Sequence, residues 1–260
     1  MEIKEVEIRG IIIKGMCEGY QQNLKLLSSQ NDFHDNIQEY LLTVNVAQMI
    51  LQWNKNHEYN IRIEYPLRHF YNNAFPSNKP IGDDIFSMDY MYRLLSHSPT
   101  WRHNSKIDLV ITEGRISTNP VYDESVLVGI EIKGVNKRES EIKKDLNRLS
   151  KALLLKDPIS DNSIQFCFCS FLLRLDKDDE LIEADEVDLK INIASAYWEE
   201  ICASYGSKFS KLTYAMETYK VQEVTGEDVK NLFNEYEDDI SDVASATGVV
   251  RGVMITIKRK

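Results

Sequence analysis

The period of the apolar positions changes several times along the chain, and each change predicts a different element. Residues 3–14, Ile-Lys-Glu-Val-Glu-Ile-Arg-Gly-Ile-Ile-Ile-Lys, are rich in β-branched side chains and read as one or two strands. Asn31, Asp32 and Asp35 are N-cap residues for a helix from Ile37 to Trp53. Its apolar positions 37, 40, 41, 44, 47 and 51, widened by 42, 46, 49 and 50, form a stripe broad enough for deep burial against a sheet. A strand at 59–65 ends at Pro66. Residues 67–105 are irregular, with one short helix expected near 84–96, and form an insertion that could be a functional loop or equally a loosely ordered surface excursion.

The middle of the chain is the most regular. Lys106–Thr112 is a strand, followed by a turn at Glu113-Gly114. Ser125–Lys133 is an almost unbroken apolar run ending at Gly134, the pattern of a strand covered on both faces. Ser140–Leu155 is an amphipathic helix, with Ile142, Leu146, Leu149 and Leu153 on its apolar stripe and Lys143, Lys144, Asn147, Arg148 and Lys151 on its polar face. Ile164–Leu175 is a further strand. Residues 176–188 hold eight acidic side chains and one lysine, an acidic loop or edge. Helices are expected at 193–205, 208–219 and 226–236, and a closing strand at 249–259. This order predicts an α/β fold with a mixed central β-sheet flanked by helices. Residues 1–175 form the core, and 176–260 form a mainly helical extension packed on the same domain.

Composition removes several function classes. An apolar share of 43% and a charged share of 28% are ordinary for a water-soluble globular chain, and no apolar run reaches the roughly 18 residues of a membrane span. The first residues mix charge into their apolar run, unlike a signal peptide. Cys17, Cys167, Cys169 and Cys202 lack zinc-site spacing and a disulfide framework, which fits buried, reduced thiols in a cytoplasmic protein. The net charge of −10 argues against a generally basic nucleic-acid binder. Charge is uneven, however: residues 101–156 carry eleven Lys/Arg against eight Asp/Glu, a local excess of +3 in an otherwise acidic chain. Phosphate contacts depend on local charge, so this region could serve a polyanion or be an ordinary solvated helix.

Candidate chemistry falls inside that region. Glu131-Ile-Lys133 is one of five acid-x-Lys tripeptides, the others starting at Glu2, Glu141, Asp188 and Asp228. Only its context sets it apart. It closes a buried strand, where a carboxylate and an ammonium are costly to bury unpaired. Residues two apart on a strand point to one face, so Glu131 and Lys133 project together. Asp108 sits in the preceding strand among Ile107, Leu109 and Val110, where an acid needs a partner or a cation. Carboxylates are hard ligands suited to Mg²⁺, and the Ile132 carbonyl offers a further oxygen.

A helical Glu, then an Asp, then Glu-x-Lys across two strands, then an amphipathic helix and a strand, resembles the PD-(D/E)XK, or restriction-endonuclease-like, nuclease superfamily. The resemblance covers about Ile37 to Leu175 and departs from the motif's name at Ile107, where Pro would stand. It implies a Mg²⁺- or Mn²⁺-dependent endonuclease acting on DNA, with Asp108, Glu131 and the Ile132 carbonyl as metal ligands and Lys133 serving hydrolysis. Glu39 in Gln38-Glu39-Tyr40 corresponds to the helical acid, although an acid in a first helical turn is favoured by the dipole anyway. Glu64 is a weaker rival for that role. Lys144, Arg148 and Lys151 are candidate phosphate contacts. His69, His103, the Asp83-Asp84 pair, the Cys167/Cys169 pair and Trp101 are lesser candidates, each with an ordinary loop or core explanation. Nucleases of this kind include components of bacterial restriction and antiphage systems such as Hachiman, which implies a helicase or ATPase partner because this chain has no Walker-type loop. A homodimer is a further expectation. The alternative is an inactive module of the same fold that binds nucleic acid or a protein partner.

Overall fold

The computed structural model describes residues 3–27, 39–74, 105–113, 124–156, 161–175, 182–225 and 248–260. The elements are α1 (Glu5–Leu27), α2 (Glu39–Trp53), β1 (Tyr59–Pro66), α3 (Leu67–Asn72), β2 (Lys106–Glu113), β3 (Ser125–Val135), α4 (Glu139–Leu153), β4 (Phe166–Arg174), α5 (Ala184–Lys208), β5 (Leu212–Val224) and β6 (Gly248–Arg259). The six strands form one mixed sheet in the order β1-β2-β3-β4-β6-β5. Among the described residues only β3 and β4 run parallel; the other four pairings are antiparallel. A parallel neighbour requires a crossover, and α4 makes it between β3 and β4.

Helices cover both faces, as the unbroken burial of β3 from Ser125 to Gly134 requires. On one face Ile8, Ile12 and Met16 of α1 and Leu42, Val46 and Ile50 of α2 pack on Leu109, Ile111, Ile130, Ile132 and Met254. On the other, Phe70 of α3, Ile142, Leu146 and Leu149 of α4 and Trp198 and Tyr205 of α5 pack on Val110, Cys167, Phe171 and Val253. The α/β class with a mixed sheet flanked by helices is therefore as expected. Among the described residues no helix is long and apolar enough to cross a membrane.

Two expectations are corrected. Residues 3–14 are not strands; from Glu5 they form the start of α1. The isoleucine run hides a helical period: Ile8, Ile12 and Met16, each four apart, are fully buried, and Tyr20 continues the series. Packing against α2 outweighs the β preference of the branched side chains. Close approach depends on Gly15, where a Cβ would lie 2.6 Å from the Val46 Cα. Residues 208–219 are not a helix either, because Leu212–Val224 is the edge strand β5, paired with β6 along its length. Thr213, Tyr214, Thr218, Tyr219 and Val221 are strand-favouring residues on a half-buried surface. The helix expected at 193–205 is longer, starting at Ala184 within the acidic stretch, where Asp185 and Glu186 suit a first turn. The helices expected near 84–96 and 226–236 lie outside the described residues.

Candidate active site

The backbone ladder between β2 and β3 runs to the Leu109–Ile130 pair. Beyond it the Asp108 side chain takes over: its Oδ2 accepts the Ile132 N–H at 2.8 Å. Glu131 and Lys133, two apart on β3, then share a face, and Lys133 becomes the centre of a charge cluster. Its Nζ lies 3.0 Å from Glu39 Oε1, 3.3 Å from Asp108 Oδ2, 3.4 Å from Asp145 Oδ2 and 4.0 Å from Glu131 Oε2. It also donates to the Ile132 carbonyl at 3.0 Å. Glu39 comes from the α1–α2 layer and Asp145 from the α3–α4–α5 layer, so both helical layers meet at this end of the sheet. The second oxygen of Glu39 is 3.7 Å from Lys137.

The structure thus brings together Glu39, Asp108, Glu131, Ile132 and Lys133. It adds Asp145, a buried acid on α4 whose role was missed. The signal was available: position 145 is three residues after Ile142 and four before Leu149, on the buried stripe rather than the polar face. A charge there demands a partner for the same reason that Asp108 did. Arg148 is that partner. Its guanidinium donates to Asp145 and, at 2.7 Å, to Glu131 Oε1, while a second nitrogen reaches the Lys106 carbonyl at 3.3 Å. Arg148 therefore turns into the cluster, whereas Lys144 and Lys151 stay exposed on the same line of α4.

Four carboxylates face two buried cations, Lys133 and Arg148, each with a side chain 11% exposed. Glu131 is fully buried, and burial first, then Asp108 and Asp145, pushes its carboxyl well above the usual range. Burial also raises Asp145, against the pull of Lys133 and Arg148. For Lys133 burial acts downward, but Asp108, Asp145, Glu131 and Glu39 outweigh it and hold the ammonium above its ordinary value. Among the described residues, Glu131 Oε2 and Asp145 Oδ2 are buried without a hydrogen-bond partner. A divalent cation fits this donor set in charge and in hard-oxygen chemistry. The carboxylates converge on the ammonium, however, and no group of three or more acidic, His or Cys side chains is arranged as metal ligands among the described residues.

The lesser candidates stay apart. Glu64 pairs with Lys106 across β1 and β2, exposed to solvent. His69 on α3 stands beside Arg68 and Tyr65, and burial followed by Arg68 lowers its pKa. Cys167 and Cys169 are core thiols, and burial pushes Cys167 up to about 12. His103, Trp101, Asp83 and Asp84 lie outside the described residues. No family model, no curated protein and no solved structure matches this chain.

Proposed function

We propose that this chain is a metal-dependent nuclease that hydrolyses DNA phosphodiester bonds. The observation that carries the reading is the convergence of Glu39, Asp108 and Glu131 on Lys133, where β2 and β3 part. Asp108 and Glu131, with the Ile132 carbonyl as a further oxygen, would hold a divalent cation, which when bound would supply Lewis acidity and make water more acidic. The remaining work falls to the chain itself. Lys133, whose ammonium its carboxylate neighbours favour against the opposing effect of burial, orients the attacking water or offsets charge growing on phosphoryl oxygens. Glu39 holds Lys133 and so sets its direction. Asp108, tied to the Ile132 amide, fixes the β2 edge of the site. Lys144 and Lys151, exposed on α4, are the phosphate-backbone contacts of this reading. A helicase or ATPase partner and a place in antiphage defence belong to the proposal through the superfamily resemblance alone.

The test is cleavage of plasmid DNA, single-stranded DNA and RNA with Mg²⁺, Mn²⁺ or chelator. DNA cleavage with either metal, absent in chelator and absent in folded Asp108→Ala and Lys133→Ala variants, is the expected result. Full activity in Lys133→Ala removes the catalytic assignment. One observation favours a second reading, an inactive module of the same fold: the ammonium sits where the carboxylates meet, and no ligand trio is assembled among the described residues. Under that reading the wild type binds DNA in a gel-shift assay and cleaves none of the polymers.

A further inference from the structure

The proposed reaction leaves Asp145 and Arg148 without a role, yet Asp145 is buried and the Arg148 side chain is only 11% exposed. Asp145, its side chain 4% exposed, sits on the apolar stripe of α4, where an aliphatic residue would pack without desolvating a charge. Its two oxygens face different cations: Oδ1 accepts from Arg148, and Oδ2 lies 3.4 Å from Lys133. Arg148 in turn grips only Oε1 of Glu131, at 2.7 Å. The other Glu131 oxygen is fully enclosed and without a hydrogen-bond donor among the described residues. A carboxylate gripped on one oxygen, with only the Lys133 ammonium at 4.0 Å from the other, is oriented, not merely neutralised.

We propose that Asp145 is a positioning residue: by holding Arg148 and Lys133 it presents Glu131 Oε2 to a divalent cation. This rests on the metal-dependent reading above. Asp145 strengthens cation binding through its charge and through Arg148, and Arg148 strengthens it by fixing the Glu131 carboxylate although its own charge works against a cation. Losing Asp145 therefore weakens cation binding on both counts, and losing Arg148 weakens it through the Glu131 geometry. Residues that act through a ligand in this way typically alter metal affinity by about 10- to 100-fold.

The experiment is calorimetric titration of the full chain with Mn²⁺, with thermal melts to establish folding. Wild-type protein is expected to bind Mn²⁺, Asp145→Asn about tenfold or more weakly, Asp145→Glu close to wild type because the charge is kept, and Arg148→Gln more weakly than wild type because Glu131 loses its orientation. A folded Asp145→Asn protein that binds Mn²⁺ like wild type overturns the inference alone and leaves the nuclease reading standing. Should Asp145→Asn fail to fold, Arg148→Gln decides, and unchanged or tighter binding there overturns the inference. A wild-type protein that binds no Mn²⁺ overturns the metal reading itself, and the inference falls with it.

Discussion

Replacing Lys133 with Met keeps most of the side chain's volume and removes its charge, which isolates the electrostatic role of the cluster's centre. At an effective dielectric of about 20, each of its four carboxylate contacts, at 3.0 to 4.0 Å, contributes roughly 4–6 kcal/mol of gross attraction. Most of that is offset by the cost of taking five charges out of water and by repulsion among the carboxylates. Breaking a buried ion pair by deleting one partner typically costs about 3–5 kcal/mol. The discount for solvent falls on two of the four, because Glu131 and Asp145 are 0% and 4% exposed whereas Asp108, at 23%, and Glu39, at 31%, are partly wet. Lys133→Met is therefore expected to lose about 3–5 kcal/mol of unfolding free energy in chelator at neutral pH. Urea denaturation of both proteins, followed by tryptophan fluorescence and circular dichroism, measures it. The variant should recover part of the loss on adding millimolar Mg²⁺ or Mn²⁺, since a ligand that binds only the folded state stabilises it. A loss below about 1 kcal/mol, the range of exposed pairs, would refute the placement of Lys133 at a buried charge centre.

Other outcomes follow from packing and from a second ion pair. At Gly15 an added methyl meets the Val46 backbone, so Gly15→Ala should destabilise by about 1–3 kcal/mol despite alanine's better helix propensity. Gly10 in the same helix has open space around it, so Gly10→Ala should stabilise by about 0.5–1 kcal/mol, and urea melts of the pair separate packing from propensity. Glu223 has its pKa lowered chiefly by the hydrogen bond from Arg251. The stability this pair adds is full above about pH 4.3, the carboxyl's unfolded value, and fades as pH falls through the lower folded value. The gap between wild type and Glu223→Gln in thermal melts should accordingly close on acidification; a constant gap would remove the pair from the account.

The legible part of the fold is the part where local pattern and tertiary environment agree. β2, β3, α4 and β4 were readable because β3 is covered on both faces and α4 is strongly two-sided, so period, propensity and burial all coincide. Where they conflict, the pattern misleads. Ile11-Ile12-Ile13 is a strong strand signal, yet only the four-residue spacing of Ile8, Ile12 and Met16 matters once α2 is there to receive it. The 208–219 segment fails in the opposite sense, because β5 is an edge strand of mostly half-buried residues with no clean two-residue alternation of apolar and polar positions.

The site divides along the same line. Asp108, Glu131 and Lys133 were visible because each is a charge in an apolar strand, an anomaly that a single segment displays. Asp145 is the same anomaly on a helix, a carboxylate within the Ile142–Leu146–Leu149 stripe, but it is hidden among the many charges of a helix rich in lysine. Arg148 looked like a surface contact for the converse reason: its position on the wheel borders the polar face, and only the partner on the stripe draws it inward. Helical charges are therefore best sorted by asking which of them the apolar stripe forces inside, before asking which could meet a ligand. By that test Asp145 is the charge α4 must compensate, Arg148 is the compensation, and Lys144 and Lys151 are the charges that α4 leaves exposed on its outer side.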